Sequence, residues 1–160
     1  MPRHALAAVL AVVAAGPLQA LSCLPPDVAS AYRMASDSED RYIAVLGRAI
    51  FDSAALTPDR GRIDPRSKST IGRFDGESFT LDGTRRPYGA EIEVVAECWA
   101  SWCGQPVSGR PFVGFLRMED SRPVLSADPC GTMIFYDPAP EDIARLSDCM
   151  AGRPCDPVAY

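Results

Sequence analysis

Six cysteines, an even number, follow an N-terminal stretch built like a cleavable export signal, and that combination constrains the chain more than any other feature. Met1-Pro2-Arg3-His4 is a short positive start, and Ala5–Ala15 is an unbroken run of Ala, Val and Leu. Gly16-Pro17 breaks the run, and Leu18-Gln19-Ala20 ends on a small residue. The run is shorter than the roughly 20 apolar residues a bilayer crossing needs, and no later segment approaches that length, so no transmembrane segment is expected. Residues 1–20 are expected to be removed, with cleavage after Ser22 as the alternative. Residues 21–160 then form one exported domain, periplasmic or secreted, in a compartment that oxidises thiols.

The only histidine, His4, leaves with the signal. The mature chain has no imidazole for acid–base catalysis, for Ser–His or Cys–His pairs, or for His-containing zinc sites. No Cys-x-x-Cys occurs, which removes a thioredoxin-type dithiol and the usual paired motif of a Cys-only zinc site. No cofactor and no metal are expected. The cysteines read as three structural disulfides. Cys98 and Cys103 bracket Trp99-Ala100-Ser101-Trp102, and Cys149 and Cys155 bracket Gly152 and Pro154. Both spacings permit a local bridge, leaving Cys23 and Cys130 to join the N-terminal segment to a strand end. Spacing alone leaves the other connectivities open.

The net charge of −5 falls to −6 when Arg3 leaves. An acidic chain lacks the clustered Lys and Arg of a nucleic-acid binder and has no electrostatic pull towards anionic lipid. Lys68 is the only lysine; such an arginine skew, with the export signal, points to a bacterial origin. Fifteen prolines and twelve glycines fall between short apolar runs, the pattern of a mainly β domain with many turns.

A short helix is expected from Pro25-Pro26-Asp27 to Ala35, on the stripe Val28, Ala31, Tyr32 and Ala35. Arg41–Phe51 is the best strand, with Gly47 expected at a bulge or bend. Asp52–Lys68 reads as a long exposed loop. Thr70–Phe74 and Glu77–Leu81 read as strands joined by a hairpin turn at Asp75-Gly76, with a further turn at Asp82-Gly83. In Glu91–Cys98, Ile92, Val94, Ala96 and Cys98 alternate with glutamates. Pro111–Met118, a strand through Val124, Leu125 and Ala127, the run Met133–Tyr136 and a helix over Pro140–Met150 complete the order. The expected fold is a small closed antiparallel barrel, OB-like, with a short N-terminal helix and a C-terminal helix, stapled by disulfides.

Ser22-Cys23-Leu24-Pro25-Pro26, a helix, and the strand Tyr42–Phe51 resemble the opening of the netrin-like domain shared by tissue inhibitors of metalloproteinases. The strands Phe112–Leu116 and Val124–Ser126 running into Cys130-Gly131 extend the resemblance to about residue 131. It implies an OB-type barrel to which a cysteine-led N-terminal segment is stapled, and contacts made by that segment. The inhibitors begin Cys-x-Cys, with an N-terminal cysteine on the protease zinc. Here Leu21-Ser22-Cys23 retains only the second cysteine if cleavage follows Ala20. The chain also resembles small secreted proteins of proteobacteria.

The expected function is a non-enzymatic binding module for a protein or envelope component, acting as a monomer. Its candidate binding residues are Cys23, Leu24, Pro25 and Pro26, where two prolines stiffen the backbone, and Trp99 and Trp102 on a bridged loop. The indoles can equally cap the barrel core. The alternative is a small carboxylate-dependent hydrolase; Asp52, Asp59, Asp64 and Asp75 carry no spacing that favours it, and such an enzyme requires two carboxylates converging in one cleft. Ser67-Lys68-Ser69 puts serine beside the sole lysine, as a Ser–Lys catalytic pair would, but adjacent residues rarely face each other correctly; the arginines Arg60–Arg66, Arg85 and Arg86 read as solvated surface. No catalytic residue is assigned.

Overall fold

The computed structural model describes residues 23–25, 27–58 and 65–157. The signal segment, Pro26 and the aspartates Asp59 and Asp64 lie outside the described residues.

Helix α1 spans Val28–Asp37, and Asp27 caps it by accepting from the Ser30 N–H at 2.9 Å. The strands are β1 Tyr42–Phe51, β2 Lys68–Phe79, β3 Arg85–Ala96, β4 Cys98–Trp99, β5 Trp102–Cys103, β6 Pro111–Glu119, β7 Arg122–Ala127 and β8 Ile134–Tyr136; helix α2 spans Pro140–Met150. Five strands close in the order β1-β2-β3-β7-β6, with β6 returning to β1. β8 adds to the free side of β6, and β4–β5 form a separate two-stranded hairpin. The barrel is the small, closed, OB-like one expected, but it is not wholly antiparallel. β7 runs parallel to β3 over Glu93–Ala96, because the chain between them travels back along the barrel through the β4–β5 hairpin and β6 before β7 begins.

Two hydrophobic clusters meet across the barrel wall. Val45, Ala49, Phe74, Ile92, Val94, Phe112, Leu116 and Leu125 fill the interior. Val28, Ala31, Ala44, Val113, Phe115 and Leu146 pack α1 and α2 onto the outer faces of β1 and β6. β6 is therefore buried on both faces, which is why Phe112-Val113-Gly114-Phe115-Leu116 is continuously apolar where β3 alternates.

Two expectations that rest on glycines are corrected. Asp75-Gly76 is not a hairpin turn: β2 runs through it without a break, pairing Asp75 with Arg48 and Gly76 with Gly47. A Cβ on Gly76 would lie 2.3 Å from the Leu46 carbonyl oxygen, so glycine is needed there for close approach of two strands. Gly47 is its partner in that contact, and the β1 register passes it unbroken, with no bulge. The β2–β3 turn forms further on, around Asp82-Gly83, where Gly83 takes a φ of 79° and the Asp82 carboxylate accepts from the Thr84 N–H at 3.0 Å. The strand after it starts earlier than expected, at Arg85, and Pro87 is tolerated because β7 pairs with β3 only from Glu93 onward.

Candidate functional site

Both tryptophans of segment 97–104 are exposed, and backbone contacts anchor its root. The Glu97 N–H donates to the Ala127 carbonyl at 2.9 Å, and the Gly104 N–H donates to the Glu97 carbonyl at 2.8 Å. A side chain on Gly104 would put its Cβ 1.9 Å from the Ala127 oxygen, so the hairpin lies directly on β7 only because that residue is glycine. The Cys98 N–H donates to Ser67 Oγ at 2.9 Å. Above this root, Cys98 pairs with Cys103 across the hairpin and is bridged to it, and Trp99 pairs with Trp102. Directly opposed residues in a β ladder share a face, so both indoles project from the same side of a covalently closed hairpin. They are 44% and 55% exposed, and so do not cap the barrel core.

The other bridges join Cys23 to Cys130 and Cys149 to Cys155, so the spacing-based set of three pairs is the one the structure contains. Cys130 belongs to the loop after β7, which is organised by Asp128. Its carboxylate accepts from the Cys130 N–H at 2.7 Å, the Thr132 N–H at 2.9 Å and the Thr132 hydroxyl. At 9% exposure, Asp128 is the one buried charged residue among the described residues, and these three donors account for its burial.

Between the hairpin, this loop, the outer face of β6–β7 and α1 lies a cleft of about 320 Å³. Met34 comes from α1, Tyr42 from β1, Phe115 from β6, Trp99 from the hairpin and Met133 from the loop. Glu97, Arg117, Ser126, Asp128 and Thr132 supply its polar groups. The Ser126 hydroxyl donates to Glu97, and Arg117 pairs with Asp40 and Glu119. Tyr42 and Phe115 also line a smaller neighbouring space beside Tyr32, Leu81 and Met150.

The structure thus divides the sequence-derived candidates. Trp99 lines the cleft; Trp102 stands beside it on the same hairpin face. Cys23 reaches the cleft wall only through its bridge to Cys130, and Leu24 and Pro25 are exposed outside the lining. Pro26 lies outside the described residues. Asp52 caps a 3-10 turn over Ser53–Leu56, and Asp75 pairs with Arg73, so neither joins the cleft. Sequence reading missed Glu97, Ser126 and Asp128; the only available signal was that Glu97 abuts the bridged loop. Among the described residues no group of three His, Cys, Asp or Glu is placed to hold a metal ion, and no helix is long and apolar enough to cross a membrane. No protein-family model, curated protein or solved structure matches the chain.

Proposed function

We propose that the protein is an exported binding module whose partner, a protein or another envelope component, enters the cleft under the tryptophan hairpin. The observation that carries this reading is the pair of exposed indoles on one face of a bridged hairpin at the mouth of a cleft. Large aromatic rings already held rigid lose little entropy on docking, and such rings dominate binding energy at interfaces. Three disulfides fit a compartment that keeps thiols oxidised, which supports a periplasmic or secreted location. The netrin-like relationship belongs to the same proposal. In it the segment after Cys23 forms part of the contact edge, and the bridge to Cys130 ties that segment to the cleft wall.

A carboxylate hydrolase is the second reading, because Glu97 and Asp128 line one cleft. Asp128, however, already accepts three hydrogen bonds that shape its own loop, and Glu97 accepts one from Ser126. Groups committed in this way suit recognition better than proton transfer.

A photo-crosslinking residue at position 102 tests the proposal. It is expected to trap a discrete partner from the native envelope, whereas the same residue at position 50 is expected to trap none. Ile50 lies eight residues along β1 from Tyr42, roughly 26 Å at strand rise. No product at position 102, or the same product at both positions, overturns the reading.

A further inference from the structure

The cleft's polar groups are unevenly committed, and that asymmetry narrows the ligand. Two of its hydroxyl donors are spent inside the protein, Ser126 on Glu97 and Thr132 on Asp128, which leaves the Tyr42 hydroxyl and the Trp99 indole N–H as its uncharged side-chain donors. Its one cation, Arg117, faces two carboxylates, Asp40 and Glu119. Glu97 has no cationic partner among the described residues, and a carboxylate that accepts one hydroxyl keeps lone pairs for further donors. The remaining surface is aromatic or aliphatic: Trp99, Tyr42, Phe115, Val124, Met34 and Met133. A sugar is held best by several donors and acceptors together, and here the uncharged donors are few. An organic cation requires only acceptors, π faces and an apolar wall for its stem. The chain's overall charge of −5 favours approach of the same ligand sign.

We infer that the cleft takes an alkyl cation, an ammonium or guanidinium on an apolar stem, as presented by a Lys or Arg side chain of a partner polypeptide. The head group lies between the Trp99 ring and Glu97, and the stem runs over Met34, Phe115 and Met133. This rests on the binding-module reading and specifies its ligand.

Both tryptophans of the chain sit on the hairpin, so tryptophan emission reports on this site alone. The oxidised protein is titrated with a glycine-spaced arginine peptide, the matching citrulline peptide, butylguanidinium and a neutral oligosaccharide. The arginine peptide is expected to change the emission saturably and the citrulline peptide is not. Glu97→Gln keeps an acceptor for Ser126, and is expected to weaken the arginine peptide about tenfold, as loss of one charge-assisted contact implies. Trp99→Ala, followed by calorimetry, is expected to weaken it as well. Butylguanidinium matching the peptide would assign the cation to a small molecule and refute the polypeptide source. Equal binding of the citrulline peptide, tighter binding of the oligosaccharide, or an unchanged Glu97→Gln variant overturns the inference. If no cation binds while the cross-link at position 102 persists, the ligand class falls and the binding module stands; loss of both removes both.

Discussion

Removing the Cys23–Cys130 bridge by the double change Cys23→Ala and Cys130→Ala is the most informative perturbation of the fold. The bridge spans 107 residues of sequence, whereas Cys98–Cys103 spans 5. In the chain-entropy model a bridge stabilises by restricting the unfolded chain, which gives about 4.7 kcal/mol for the long loop and about 2 kcal/mol for the short one. Few native contacts complicate the comparison at the long bridge, since Cys23, Leu24 and Pro25 are all exposed. A domain of about 135 residues melts with an entropy near 0.28 kcal/mol/K, so the expected falls in melting temperature are about 17 °C and about 7 °C. Guanidinium titrations followed by far-ultraviolet circular dichroism measure both variants, and the slope m should rise more for the long-bridge variant, whose unfolded state expands more. If the short bridge costs as much as the long one, loop closure is not what these disulfides contribute.

Replacing Trp99 and Trp102 together by alanine should abolish tryptophan emission and cost no more than about 2 kcal/mol of unfolding stability, because each is about half exposed; a loss above about 4 kcal/mol would return them to the core. Gly76→Ala places a Cβ 2.3 Å from the Leu46 carbonyl oxygen and should cost more than about 2 kcal/mol in the same titrations, while an unchanged midpoint would refute the close-approach account. Burial raises Tyr136 above the ordinary phenol value of 10.0, against the opposing Val107 N–H bond and the Arg110 charge, and raises Tyr88 likewise. The unfolded chain therefore loses these protons first. Their contribution to stability is complete below about pH 10 and declines above it, until the folded phenols ionise in turn. A phenolate absorbance titration should show two phenols ionising at higher pH in the native protein than in denaturant; identical native and denatured titrations would refute the reading.

The sequence carried the barrel because barrel strands obey local rules. Ile92, Val94 and Ala96 recur at every second position, and all three are buried. Helix α2 coincides with Pro140–Met150 because its proline, acidic first turn and apolar stripe agree with one another. Local rules failed where a residue serves a distant neighbour. Asp75-Gly76 has the composition of a turn, yet Gly76 is there for Gly47 of β1, a requirement invisible along the chain. The β4–β5 hairpin was legible only as a bridged loop, since two residues per strand give no periodicity.

The cleft was harder to read than the fold for a related reason. Its walls come from separate stretches of the chain: Met34 precedes the barrel, Trp99 follows β3, and Ser126 and Asp128 lie at the end of β7. They converge because β7 pairs in parallel with β3, which places the end of β7 beside the root of the hairpin, where the Glu97 N–H meets the Ala127 carbonyl. The two disulfides nearest the cleft then have different jobs. Cys98–Cys103 keeps both indoles on one face, and Cys23–Cys130 fastens the N-terminal segment to the loop after β7. Neither bridge joins one wall to the other. The walls are related through the barrel, by the β3–β7 pairing, the Glu97 N–H bond to the Ala127 carbonyl and the Ser126 hydroxyl bond to Glu97. Opening the short bridge should therefore loosen the indoles without moving Asp128, whereas disrupting the barrel at β7 should dissolve the cleft altogether.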